Sequence, residues 1–176
     1  TDRPYLLVVG RNSEYKWHEG AVRAMAALRD RDAVLALVQR VEHGGNLADI
    51  ARSLGVSDRV RWLGGLPADD VLTLMQCATA LVHPSTVEGF GLPVLEAMAC
   101  GTPVVAGEAG SLLEITDGAA LHAPRDVGKL AGAIDELLAD ASMRADLRAR
   151  GLVRARAFSW DRVANETLDV YRDAIR

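Results

Sequence analysis

Aromatic residues are scarce: phenylalanine, tyrosine and tryptophan make up 5% of the 176 residues. The core must then rest on leucine, valine and alanine, within an ordinary globular composition of 49% hydrophobic and 25% charged residues. Lysine is scarcer still, since Lys16 stands with Lys129 alone and arginine carries the remaining positive charge. There is no basic excess. A net charge of −4 and a pI of about 5.5 argue against a nucleic-acid partner held by bulk charge. No long apolar run, signal-like leader or basic membrane helix is visible, so no membrane segment is expected in this chain. No Cys/His cluster has metal-ligand spacing. Cys77 and Cys100 lie within apolar segments and read as reduced core residues of a cytoplasmic protein rather than as a disulfide.

What is present alternates. Apolar runs at Tyr5 to Val9, Ala33 to Val38, Val60 to Leu63, Ala80 to Val82, Val104 to Ala106 and, weakly, Ala119 to Leu121 read as strands. Helical patterns lie between them: Glu19 to Arg29, Asn46 to Leu54, a helix opened by Pro67 and Asp69 and running to Cys77, one after Gly91, and Ser111 to Ile115. After Pro124 the chain turns purely helical. Asp126 caps a stripe of Leu130, Ile134, Leu137 and Leu138; an Arg-rich segment follows from Ser142 to Phe158; Ser159 caps a last helix carrying Val163, Leu168, Val170 and Ile175. Continuous apolar strands alternating with helices specify an α/β fold, a Rossmann-like doubly wound parallel sheet of about six strands covered on both faces, with extra C-terminal helices. No repeat or linker interrupts it, so residues 1–176 are read as one domain.

The chemistry concentrates between His83 and Val105. Gly89 and Gly91 bracket Phe90 and let the backbone approach a ligand. Pro93 suits the first helical position, which leaves the amides of Phe90, Gly91 and Leu92 free at a helix N-terminus, where a phosphate binds readily. Glu88 precedes the loop and Glu96 projects from the first turn or so of the helix. Carboxylates accept hydrogen bonds from sugar hydroxyls, so amides for phosphate plus carboxylates for hydroxyls describe a sugar–phosphate pocket. The plainer alternative is a turn whose Glu96 only complements the helix dipole. Ligands of parallel sheets bind at the strands' carboxyl ends, so Arg11, Lys16, Glu88 and the Gly89–Leu92 amides are expected in one cleft. Arg11 and Lys16 supply the positive charge a diphosphate needs; otherwise they are solvated loop residues.

Gly10-Arg11 with Lys16 following, the segment Asp58 to Gly64, the block from Glu88 to Val105 and the tail Phe158-Ser159-Trp160 resemble the C-terminal domain of retaining GT-B glycosyltransferases of group 1 (family 4), over nearly the whole chain. The resemblance implies one half of a GT-B fold that binds a nucleotide diphosphate sugar, UDP- or GDP-linked. In it Glu88 contacts donor-sugar hydroxyls and Glu96 the ribose. The amides of Gly89, Phe90, Gly91 and Leu92 hold sugar and distal phosphate, and Arg11 and Lys16 neutralise the diphosphate as it leaves. No metal or other cofactor is implied, because fixed cations take the metal's place. It further implies a sugar, lipid or other acceptor on an N-terminal domain absent from this chain, so that the isolated domain binds donor and catalyses little. A cytoplasmic protein is expected, with peripheral attachment to the inner face of the membrane left open for the full length. The Gly64–Asp70 loop offers no lysine to read a guanine, which leans the base toward uridine. The other readings weighed are a nucleotide-sugar epimerase or hydrolase of similar fold and a non-catalytic binding module.

This sequence departs from the family pattern at Gln39-Arg40-Val41-Glu42, where Gly-x-Gly is frequent, at Trp17 and His18 after Lys16, and at Ser111 beside Gly110. His83 ends a strand beside the pocket, where it could act on the sugar, but reads first as a satisfied structural histidine. Asp30-Arg31-Asp32 spells an Asp-x-Asp metal pattern but falls at a helix end away from the cleft. Glu114 is expected to tie down backbone. Arg148, Arg150, Arg154 and Arg156 read as a solvated helix face.

Overall fold

The computed structural model describes residues 3–39 and 45–175. Six parallel strands are β1 (Tyr5–Val9), β2 (Val34–Gln39), β3 (Val60–Gly64), β4 (Ala80–His83), β5 (Val104–Ala106) and β6 (Leu121–His122), in the order β3-β2-β1-β4-β5-β6. The helices are α1 (His18–Ala27), α2 (Asn46–Ser53), α3 (Ala68–Cys77), α4 (Leu92–Ala99), α5 (Gly110–Thr116), α6 (Val127–Ala139), α7 (Ala141–Ala155) and α8 (Trp160–Ala174).

Strand side chains alternate between two cores. Leu6, Val8, Leu35, Leu37, Ala80, Val82 and Val105 pack with α1, α2 and α6. Leu7, Ala36, Leu81, Val104 and Ala106 pack with α3, α4 and α5. Both faces are thus covered, which is why these strands read as unbroken apolar runs. From β1 the chain winds outward through β2 to β3 and then returns to β4 on the other side of β1. The carboxyl ends of β1 and β4 therefore flank a crevice at the point where winding reverses.

Sequence boundaries hold to within two residues, except that α7 ends at Ala155, three residues short of Phe158. The last strand is Leu121–His122, later than Ala119 to Leu121, because His122 is anchored from both ring nitrogens. Its Nδ1 donates to the Gly107 carbonyl at 2.9 Å and its Nε2 lies 2.9 Å from Thr116 Oγ1. Cys77 is not a core residue. It is exposed at the end of α3, whose single buried residue is Met75, and Cys100 is only partly covered; both thiols are free. Asp126, Asp140 and Ser159 cap α6, α7 and α8, accepting from the amides of Lys129, Met143 and Arg162.

Arg148, Arg150 and Arg156 are exposed, as a solvated face requires, and Arg154 is half-buried; three of the four also reach backbone carbonyls, as does Arg144. Arg144 Nη1 donates to the carbonyls of Leu137 and Leu138 at the end of α6, both at 2.7 Å. Arg148 reaches the Gly101 carbonyl just past α4 at 2.9 Å. Arg154 forks across Ile115 and Glu114 carbonyls at the end of α5, at 2.9 and 2.8 Å, and Arg150 donates to Gly118 beyond it. Arg31 and Arg59 do the same for α1 through Ala26 and Met25. The last carbonyls of a helix lack intrahelical partners and carry its negative dipole end. A planar guanidinium presents five N–H donors in a fixed fork, a geometry that suits neighbouring carbonyls.

Candidate functional site

Two loops meet at the reversal point. The loop after β1 runs from Gly10 through Arg11 to a single 3-10 turn, Glu14–Lys16. The loop after β4 runs from Pro84 to Gly91. They are joined through the carbonyl of Tyr15, which accepts from the Thr86 amide at 2.8 Å and lies 3.2 Å from Thr86 Oγ1 and 3.1 Å from Ser85 Oγ. The second join is an ion pair between Lys16 Nζ and Glu88 Oε1. Lys16 and Glu88 are therefore in contact, with side chains 16% and 8% exposed.

Glu88 Oε1 also accepts from His83 Nε2 at 2.7 Å. An ionised carboxylate only accepts, so the His83 proton sits on Nε2. Burial alone would raise the Glu88 pKa; the hydrogen bonds from His83 and Lys16 outweigh it and hold the carboxyl at about 2. Its backbone is fixed too, since Ser111 Oγ donates to the Glu88 carbonyl at 2.9 Å. Ser111, rather than Glu114, ties down this loop; the Glu114 side chain is exposed and its carbonyl is held by Arg154. His83 is buried and serves Glu88, in keeping with its structural reading.

Among the described residues, no acceptor receives the amides of Gly89, Phe90, Gly91 or Leu92. The helix begins at Leu92, so Pro93 is its second residue and not its first, and Glu96 lies in the second turn, exposed. Gly91 is obligatory. Its φ is +102°, and a Cβ there would lie 2.5 Å from Leu112 Cδ2. Phe90 is 42% exposed, and its ring meets Phe158 edge-on at 5.9 Å.

Arg11 is exposed and, among the described residues, makes no hydrogen bond or ion pair. Lys16 and Glu88 join the two loops, Arg11 lies on the first of these loops, and Glu96 is on the helix that the second one opens. Arg40, Val41 and Glu42 fall outside the described residues. Gln39 ends β2 and donates from Nε2 to His18 Nδ1 at 3.2 Å. Trp17 adopts φ 49°, which turns its ring over Gly20, and the Arg125 guanidinium stands 5.8 Å from that ring. A Cβ on Gly20 would come within 2.4 Å of the indole. Gly20→Ala should therefore expel the ring and cost about 1–3 kcal/mol, read as a lowered urea midpoint. An unchanged or raised midpoint, as helix propensity alone would give, would contradict this packing.

The Asp-x-Asp pattern is a backbone turn. Asp30 Oδ1 accepts from the amides of Asp32 and Ala33 at 2.8 and 3.2 Å, just before β2 and far from the strands' carboxyl ends. Among the described residues no group of three or more His, Cys, Asp or Glu side chains is placed to hold a metal ion. No helix among them is long and apolar enough to cross a membrane.

Residues 1–153 match the family of group 1 glycosyl transferases. A D-inositol 3-phosphate glycosyltransferase from Salinispora tropica is 40% identical across 99% of this chain, which spans 39% of that relative's length. Sucrose-phosphate synthase from Thermosynechococcus elongatus has the same fold at a TM-score of 0.90 and 31% identity, over 99% of this chain and 46% of that one. HepE from Anabaena in complex with UDP-glucose shares it at a TM-score of 0.88 and 23% identity, over 98% of this chain and 49% of that one. The sheet order, the two joined loops and these matches agree: the chain belongs to the group 1 glycosyl transferases and has the fold of a GT-B C-terminal domain.

Proposed function

We propose that this domain is the donor half of a retaining glycosyltransferase and binds a nucleotide diphosphate sugar between the loops after β1 and β4. One observation carries the reading: four amides that find no acceptor among the described residues open a helix in the loop that Lys16 and Glu88 join to the loop bearing Arg11, which is likewise without a partner among them. Amides at a helix N-terminus favour anions, and a guanidinium can fork across phosphate oxygens. The fold neighbour HepE, crystallised with UDP-glucose, supports a nucleotide-sugar donor.

The roles then divide by chemistry. Gly89, Phe90, Gly91 and Leu92 donate to the sugar and the distal phosphate. Arg11 and Lys16 balance the diphosphate charge, so the site works without a metal. Glu96, exposed on α4, accepts from the ribose hydroxyls. Glu88 stays ionised under Lys16 and His83 and offers its remaining oxygen to the donor sugar. In the transfer, the bond from the anomeric carbon to phosphate oxygen breaks while the acceptor oxygen bonds on the same face. The acceptor's proton passes to the departing phosphate. Charge grows on that phosphate oxygen, where preorganised cations and amides lower the barrier most. The acceptor, a sugar, lipid or other hydroxyl compound, is held by a further domain of the whole protein, which acts in the cytoplasm.

Arg11 gives the cleanest test, because an exposed side chain without a partner among the described residues can be removed with little effect on stability. Calorimetry with UDP and GDP should show binding of one of them by the wild-type chain. Arg11→Ala and Glu96→Ala should each weaken it by about tenfold, with unchanged thermal midpoints. Absence of binding to either nucleotide, or full affinity in both variants, would overturn the assignment.

A further inference from the structure

The donor loop is pinned on three sides. Ser111 holds the Glu88 carbonyl, and Gly91 is wedged against Leu112 and Ile115 of α5. Between these points Phe90 is flanked by two glycines, so its own backbone has little intrinsic stiffness. The third attachment is its ring, which meets Phe158 at 5.9 Å and an interplanar angle of 83°. That is the edge-to-face arrangement aromatic rings prefer.

Phe158 is itself clamped. The Arg154 guanidinium stands 4.9 Å from its ring centre. Arg154 is fixed in turn by the Ile115 and Glu114 carbonyls, on the same helix that wedges Gly91. The contacts close a circuit: α5 to Gly91, Phe90 to Phe158, Phe158 to Arg154, and Arg154 back to α5. A half-exposed phenylalanine at a loop tip has no reason to hold one orientation unless something fixes it. Here Phe158, 68 positions along the chain, does so.

We propose that Phe158 is a positioning residue for the donor site: by holding the Phe90 ring it aims the free amides of Gly89, Phe90, Gly91 and Leu92. This rests on the donor reading of that loop for its effect on ligand, but not for its effect on the loop. Phe158 touches no reacting group; it also packs at the edge of the core beneath α4 and α5, and its effect on the loop runs through Phe90. The C-terminal Phe-Ser-Trp tail thus contributes to the site from outside the sheet, and Trp160, two residues on and 75% exposed, should contribute nothing.

The test compares Phe158→Ala, Phe158→Tyr and Trp160→Ala in the 176-residue chain. Amide relaxation order parameters at Gly89 to Leu92 should fall from about 0.85 to below about 0.6 in Phe158→Ala. UDP affinity by calorimetry should drop roughly three- to tenfold. Phe158→Tyr should restore both, and Trp160→Ala should change neither. Wild-type order parameters in Phe158→Ala, or a tyrosine variant as mobile as the alanine one, would overturn the proposal. Should the wild type bind neither UDP nor GDP, the donor reading fails while the order parameters still decide the role of Phe158.

Discussion

Gly107→Ala is expected to be severely damaging for a change of a single methyl group. A Cβ at this position would lie 2.1 Å from the Ser85 carbonyl oxygen, 3.0 Å from its carbon and 3.1 Å from the Pro84 carbon. All three are backbone atoms, so no rotamer change relieves the clash. The backbone cannot retreat freely either. The Gly107 amide donates to the His83 carbonyl at 2.9 Å, and the Gly107 carbonyl accepts from His122. Moving Gly107 outward therefore breaks the link between β4 and β5 at the root of the loop after β4.

Overpacking of this kind costs about 1–3 kcal/mol or more, against a total stability of about 5–15 kcal/mol. Because the clash is with Pro84 and Ser85, the strain falls on the segment that carries His83, Ser85 and Glu88. A urea titration should show a midpoint lowered at unchanged slope, and the surviving folded fraction should lose nucleotide affinity. A Gly107→Ala chain with the wild-type midpoint and affinity would show that β5 and the donor loop are not in such contact.

The sequence made the sheet legible because strands buried on both faces leave unbroken apolar runs, whichever partner they pair with. It also made the meeting of Gly10–Lys16 with His83–Leu92 legible, since both loops leave strand carboxyl ends at the reversal point. What it concealed are contacts whose partners are distant in sequence and made of backbone. Arg148 and Gly101 are 47 residues apart, and a carbonyl has no signature in the letters. The arginine run accordingly read only as a solvated face. Gly107 looked like any loop glycine, because the reason for it is the Ser85 carbonyl opposite. Cys77 was misplaced because an apolar stretch of helix says nothing about which side meets the core. The His83 to Glu88 bond was within reach: a histidine at a strand end, a proline turn, and a carboxylate five residues later. Only the ion pair with Lys16 needed the fold.

The buried His18 makes acid the natural way to unfold this chain. His18 is 1% exposed. Burial, reinforced by the nearby His83 and Lys16, holds its pKa down from 6.5 to about 4. Gln39 donates to its Nδ1, which fits the neutral ring. As pH falls below about 6.5 the unfolded chain takes up a proton that the folded chain refuses until about 4, so stability declines with decreasing pH. A shift of this size corresponds to about 3 kcal/mol by the lower end of that window. Glu88 then continues the loss. Its carboxyl titrates near 2 in the fold instead of 4.5, so its contribution is complete above 4.5 and disappears as pH falls through 2. His18→Asn keeps an acceptor for Gln39 and removes the proton site. Its urea midpoint should stay nearly level between about pH 6.5 and pH 4.5 while the wild type declines, and the two should fall together only below about pH 4. Parallel declines throughout would mean that His18 takes up its proton in the folded chain as readily as in the unfolded one, with its ring open to water rather than sealed against Gln39.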